Sequence, residues 1–554
     1  QSLHRLFRAR FRLGMFDKPE KVPYAQIPYS VVDSKKHRQM ALKMARESMV
    51  LLKNEPAPKN KNPLLPLDKD VNSVAVIGPN ADKPDTMLGN YHGTPSFITT
   101  PLKGIQDKVA SRTNVHYARG AEIADGRKRQ LPIPSDRLIP SQGSGHGLYA
   151  EYFSGKKISE QPAKQGVDKQ INFKWLDDTP VSGKLAADFS VRWTGKIKAP
   201  ESGTYIIGFD AARNYNYKLY FDNNLKLDGS KRQHQFSVPL QSGKTYNVKI
   251  EYTSTGPDPQ AHLTWHKPNQ HLLREAVDAA QKSDVVILCL GLDSHLEGEE
   301  SPIQIPGFNG GDRTKLDLPA PQVELMKKII SLGKPTVLVM LSGSAIAMPW
   351  AKQNVPAILQ AWYGGQAGGT AIADVLFGDY NPGGRLPITF YKSVDDLPSF
   401  TNYNMRHRTY RYFEDEPLYP FGYGLSYTHF TYSDLKIPSQ TDGNSPVEVT
   451  AKVKNTGSKS GDEVAQLYVS HQDYAGMHPI RALKGFERLS LDPGESQTVK
   501  FTLNAEDLSV VDAEGKTIKA KGHVKISVGG KQPGFKGDLD AHTTGVAEDI
   551  MKII

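Results

Sequence analysis

The stretch Asp284-Val-Val-Ile-Leu-Cys-Leu-Gly291 is an apolar run that leads directly into the acidic segment Leu292-Asp-Ser-His-Leu-Glu-Gly-Glu-Glu300. An unbroken run of this kind predicts a strand buried on both faces, as in parallel sheets covered by helices. The same texture recurs on either side. Ser73-Val-Ala-Val-Ile-Gly78 reads as a second buried strand, and Thr336 to Leu341 and Ala357 to Ala361 as two more. Helices are predicted over Leu272 to Gln281, Gln322 to Ser331 and Ala367 to Phe377. Asp33 and Ser34 are placed to cap another, running to about Lys53, with Ala41, Met44, Ala45, Ser48, Leu51 and Leu52 on its apolar face. Helices alternating with strands imply an α/β layer domain.

The texture changes between residues 141 and 268. Short alternating runs such as Leu148-Tyr-Ala-Glu-Tyr-Phe153, Phe189-Ser-Val-Arg-Trp193 and Thr204-Tyr-Ile-Ile-Gly-Phe209 are separated by turns such as Asp222-Asn-Asn224. This predicts a β-sandwich inserted into the α/β domain, with Trp193, Tyr205 and Phe209 in its core. After Pro420, candidate strands at Val447 to Lys454, Glu463 to Ser470, Glu495 to Leu503 and His523 to Val528 predict a second, immunoglobulin-like sandwich. The expected division is a short leading element at 1–20, the α/β domain at 21–140 and 269–392, the insert at 141–268, a linker at 393–420 and the last sandwich at 421–554. Leu3, Leu6, Phe7 and Phe11 share one helix face with Arg5, Arg8 and Arg12 around it. That is either a basic amphipathic helix or an element of a preceding domain.

Composition narrows the function classes. The chain has 554 residues, 38% hydrophobic and 23% charged, with a net charge of +10. The lysines are scattered and no nucleic-acid fold signature accompanies them, so no nucleic-acid partner is expected. No apolar run reaches the roughly 18 residues of a membrane span. Cys289 is the single cysteine, so no disulfide forms within the chain, and its apolar setting reads as a buried thiol. The 16 histidines show no zinc-ligand spacing, and Asp210 with Asp222 is weak ground for a metal. No nucleotide-binding glycine motif appears, and Ser342-Gly-Ser344 lacks the Gly-x-Ser-x-Gly of a nucleophile elbow.

Several stretches together resemble glycoside hydrolase family 3. Ala45-Arg-Glu-Ser-Met-Val-Leu-Leu-Lys-Asn54, Pro63-Leu-Leu-Pro-Leu67 and Val76-Ile-Gly-Pro-Asn-Ala81 resemble the start of its α/β-sandwich domain. Ala361-Trp-Tyr-Gly-Gly-Gln366 and Asp379-Tyr-Asn-Pro-Gly-Gly-Arg-Leu-Pro387 are similar to its later core. Phe421-Gly-Tyr-Gly-Leu-Ser-Tyr427 resembles the entry to its fibronectin type III-like domain, and residues 147–268 resemble a protective-antigen-type insert. Arg10-Phe-Arg-Leu-Gly-Met-Phe-Asp17 resembles the end of the family's N-terminal barrel. In the family that barrel carries the catalytic aspartate, so the resemblance implies a chain lacking the nucleophile domain and inactive alone.

The resemblance implies an exo-acting, retaining β-glycosidase of the β-glucosidase or β-xylosidase type, without a cofactor. It would be secreted or periplasmic and act on terminal non-reducing residues of oligosaccharides, with a homodimer among the assemblies open to it. Such enzymes use two carboxyl groups about 5–5.5 Å apart, one as nucleophile and one as acid/base. The family's acid/base lies in the acidic loop, at the carboxyl end of a strand where α/β sheets place their sites. If that loop is extended, Glu297 and Glu299 face one way and Glu300 the other. Glu299 is the first choice for the acid/base, Glu297 the second; an ordinary solvated loop is the other reading. Asp312 and Arg313 resemble the family's Gly-Asp-Arg and suit an internal ion pair better than substrate contact. Asn90 and Tyr91 sit in a loop that could line the cleft, whereas Trp362 and Tyr363 read as core packing. A loop at 211–217 in the insert could set substrate length. The competing function is a non-catalytic carbohydrate-binding or adhesion protein.

Overall fold

A computed structural model describes the chain except residues 59, 159–160, 176–179, 181–187, 212–215, 255–258, 269–270 and 301–302. Two compact units result: residues 1–126 with 272–554, and residues 127–271. Among the described residues no helix is long and apolar enough to cross a membrane.

The first unit is built on a six-stranded sheet. Its strands are β1 (Val50–Asn54), β2 (Ser73–Ile77), β3 (Asn114–Ala118), β4 (Val285–Gly291), β5 (Thr336–Leu341) and β6 (Ala357–Gln360), in the order β1-β6-β5-β4-β2-β3. All neighbours are parallel except β1 with β6. The apolar runs form these strands because helices cover both faces: β2, β5 and β6 are buried throughout and β4 almost so. Each Val, Leu or Ile so placed contributes roughly 1.5–3 kcal/mol relative to exposure. Cys289 lies in β4 at 0% exposure, and burial raises its thiol pKa well above the ordinary value.

One predicted helix ends early. Ser34 caps it by accepting from the His37 N–H, but the helix stops at Ser48 rather than Lys53. Leu51 and Leu52 belong to β1, because pairing with β6 buries them completely, which a surface helix could not do. Of the expected apolar face within the helix, only Ala45 is buried, and Met44 is 59% exposed. The helix Ser2–Arg12 forms as expected and buries no residue.

Residues 430–553 form the C-terminal sandwich of a three-stranded and a five-stranded sheet. The four predicted strands are present, and four more complete it: Phe430–Lys436, Gln440–Thr441, Ala482–Leu491 and Val546–Ile553. The Asp379–Pro387 stretch locks it to the α/β core. Arg385 pairs with Glu463 at 2.9 Å with both side chains buried, and donates to the Gly530 carbonyl. Gly384 must be glycine, since a Cβ there would stand 2.3 Å from the Met49 carbonyl oxygen.

The second unit is the inserted sandwich, and Trp193, Tyr205 and Phe209 are fully buried in its core. It starts earlier than residue 141. Leu131–Pro132 pairs with Gln260–His266, and Leu138–Pro140 with Phe189–Lys198. Of the loop 211–217, residues 212–215 lie outside the described residues.

Candidate active site

Four parallel strands end side by side, and each delivers one piece of a polar cluster. β2 leads to Asn80, β4 to Asp293 and Glu297, β5 to Gly343 and Ser344, and β6 to Tyr363. The end of β4 is fixed from below by Gln322, whose amide accepts from the Gly291 N–H at 2.8 Å and donates to the Gly291 carbonyl at 2.7 Å. Gly291 has φ +144°, and a Cβ would lie 1.8 Å from the Leu341 carbonyl oxygen, so only glycine lets the chain leave the sheet here.

The acidic loop is a turn rather than an extended segment. Asp293 makes it: its Oδ1 accepts from the N–H groups of His295 and Leu296, and its carbonyl accepts from Glu297 N at 3.1 Å. Asp293 is 2% exposed. Burial works against its charge, but Lys83 at 2.5 Å and the turn N–H groups outweigh burial and hold its pKa below the usual carboxylate range.

The turn decides which glutamate faces the cluster. Glu297 Oε2 accepts from the Gly343 N–H at 2.9 Å and from the Tyr363 hydroxyl, while Oε1 accepts from the Ser344 hydroxyl. Burial, and then the facing Glu297 charge, push the Tyr363 phenol above its ordinary pKa, so it stays a donor. Glu299 and Glu300 are exposed, and Glu300 sits in the left-handed region at φ +49°. The expected parity of Glu297 with Glu299 therefore does not hold, because alternation applies to strands and not to turns.

Arg313 stands behind Ser344. Its guanidinium donates to Ser344 Oγ at 2.7 Å and to the carbonyls of Ala345 and Lys315 at 2.8 and 3.1 Å. Burial lowers its pKa, and the Glu297 charge offsets part of that. The anticipated pairing with Asp312 does not form; Asp312 is exposed, and Arg313 turns to Ser344 instead. Asn90 ties its loop to the turn by donating to the Ser294 carbonyl at 2.8 Å, and Tyr91 is 94% exposed beside it. Trp362 packs on Phe390 and donates to the Ser48 carbonyl, as core packing requires. Its neighbour Tyr363 instead reaches Glu297. Ser344 and Tyr363 are the members that sequence reasoning missed. The available signal was their position just after strands that neighbour the acidic-loop strand.

Chemically, the cluster holds two carboxylates in fixed orientations with donors on both oxygens: Asp293, paired with Lys83, and Glu297, held by uncharged donors alone. Among the described residues no group of three or more His, Cys, Asp or Glu is placed to hold a metal.

Residues 49–427 match the glycosyl hydrolase family 3 C-terminal domain, and residues 463–532 match a fibronectin type III-like domain. The chain is 36% identical over 532 residues to a xylan 1,4-beta-xylosidase of Xylanibacter ruminicola, covering 93% of this chain and 59% of that one. It is 30% identical over 540 residues to a probable beta-glucosidase I of Aspergillus clavatus, covering 89% and 61%. Its fold superposes on the crystal structure of a beta-glucosidase from Kluyveromyces marxianus in complex with glucose, with TM-score 0.69 and 29% identity, covering 95% of this chain and 64% of that one. The chain thus spans less than two thirds of the length of each.

Proposed function

The chain belongs to glycoside hydrolase family 3, and from that membership we propose that it carries the acid/base side of a β-glycosidase site. The substrate is a terminal non-reducing β-xylosyl or β-glucosyl residue, and the reaction is a retaining double displacement. The observation that carries this reading is the triple hold on Glu297 by Gly343, Ser344 and Tyr363, which neither of the other two glutamates of the acidic loop shares; Asp293, also held by three donors, is spent on the Lys83 ion pair and on folding the turn.

In the first step a second carboxylate attacks the anomeric carbon while the Glu297 carboxyl protonates the departing glycosidic oxygen. In the second, the Glu297 carboxylate takes a proton from the water that attacks the glycosyl ester. The second carboxylate comes from sequence outside these 554 residues, within the extra length of the relatives. Exposed apolar side chains at Leu3, Phe11 and Tyr29 fit a surface that another domain covers. Arg313 acts as a positioning residue through Ser344, and Asn90 holds Tyr91 where its ring can stack on a sugar face. This assigns the acid/base role to Glu297 rather than Glu299.

The test is product stereochemistry. The chain, extended by its upstream region, is incubated with an aryl β-xyloside and an aryl β-glucoside and followed by proton NMR. The proposal expects the β-anomer to appear first. A first product of inverted configuration, or no hydrolysis of either glycoside, would overturn it.

A further inference from the structure

A second cleft, of about 620 Å³, lies between residues 403–412 and the C-terminal sandwich, and shares no residue with the Glu297 cluster. Its volume is that of a small-ligand site. One wall is a tightly held segment. Arg408 donates to the carbonyls of Ser399, Asn402 and Asn404 at 3.1, 2.6 and 3.2 Å, and Tyr410 stacks on Phe421 at 4.1 Å. The rigid wall presents Tyr403, which is 90% exposed.

The polar groups of this cleft are unequally satisfied. Its carboxylates are engaged by the fold: Asp512 accepts from the N–H groups of Glu514 and Lys516, and Asp507 from the Asn504 N–H. Its cations are held less firmly. Arg411 is exposed, and among the described residues nothing accepts a hydrogen bond from its guanidinium, which lies over its neighbour Tyr412. Lys484 meets Asp507 only at 3.7 Å. Burial, and the facing Arg411 charge, lower the Lys484 pKa against the pull of Asp507. Two cations thus face each other in a cleft whose two carboxylates already accept from the backbone, between the rings of Tyr403, Tyr412 and Tyr474.

We propose that this cleft binds an oligosaccharide bearing a carboxylate, a uronosyl-substituted chain. Arg411 would take the carboxylate in a two-pronged hydrogen bond, with Lys484 beside it and the tyrosine rings against the sugar faces. The choice of a sugar over another aromatic-stacking anion rests on the glycosidase reading above; the vacant donors and rings do not. The site would hold acidic branches of a substrate polymer away from the hydrolytic centre.

Calorimetric titration of the 554-residue chain tests this, with glucuronosyl-xylotriose, xylotriose and adenosine monophosphate as probes. The expected result is binding of the uronosyl probe at least tenfold tighter than xylotriose, a difference that Arg411→Ala erases and Arg411→Lys restores only in part. Tyr474→Ala should weaken both sugars, and Glu297→Gln should leave binding of the uronosyl probe unchanged. Thermal melts of each variant establish that it is folded. Equal affinity for the two sugars, indifference to Arg411→Ala in a folded chain, or tighter binding of the nucleotide would overturn the proposal. Uronosyl binding by a chain whose extended form hydrolyses no β-glycoside would sink the glycosidase reading and leave this site standing. Hydrolysis without such binding would do the reverse.

Discussion

Tyr363→Phe removes one hydroxyl from the site and leaves the ring packed against Gly89 and Gly343. That hydroxyl is one of three donors to Glu297. A hydrogen bond to a charged group contributes roughly 1.5–3 kcal/mol, and about 1.4 kcal/mol is a factor of ten in rate. Two donors remain, and Gly343 is exposed, so water can take up part of the loss. The expected cost is therefore near the lower end, about 10- to 30-fold in kcat/KM. Stability should change by less than about 1 kcal/mol, because the phenol lies at the edge of the cluster rather than in the core. The assay is kcat/KM of the upstream-extended chain on an aryl β-xyloside, with a thermal melt beside it. A kcat/KM within twofold of the parent would refute the reasoning. So would a loss that tracks a fall in melting temperature, which would make Tyr363 a packing residue.

Three further outcomes follow from the same structure. Arg385→Met strands the fully buried Glu463 carboxylate and should cost about 3–5 kcal/mol in chemical denaturation, with partial recovery in the Arg385→Met/Glu463→Gln double variant; a loss below about 1 kcal/mol would contradict the joint. Gly384→Ala drives a methyl into the Met49 carbonyl, so it should destabilise the docking of the C-terminal sandwich and expose the 379–387 stretch to proteolysis; a parent-like digestion pattern would contradict this. Burial, then His478 and Lys484, lower the His471 pKa to about 4. The unfolded chain protonates this ring near pH 6.5 and the folded chain only near 4, so its stabilising contribution is complete above 6.5 and is lost as pH falls toward 4. After discounting for partial exposure this amounts to about 1–2 kcal/mol, and His471→Gln should flatten that part of the stability–pH curve.

Most of the α/β framework was legible because buried parallel strands write themselves as unbroken apolar runs. Thr336–Leu341 and the helix Leu272–Gln281 fall where the pattern places them. Val50–Asn54 was not legible, since an apolar pair after a helix reads equally as one more turn, and only pairing with Ala357–Gln360 makes it a strand. The acidic loop was found from its place after β4, but the choice within it was not. Asp293 folds the loop into a turn, and a parity argument has no force in a turn. Ser344 and Tyr363 lie 47 and 66 residues from Glu297 and meet it only because β4, β5 and β6 are neighbours, an order that local sequence does not encode.

The most direct test of the account is a leaving-group series on the upstream-extended chain and its Glu297→Gln and Glu299→Gln variants. General acid catalysis contributes roughly 10²–10⁴-fold, and only where the departing oxygen needs a proton. Glu297→Gln should lose activity on that scale toward xylobiose and phenyl β-xyloside but little toward 2,4-dinitrophenyl β-xyloside, while Glu299→Gln stays near the parent throughout. A Glu299→Gln variant showing that selective loss, with Glu297→Gln unaffected, would contradict it.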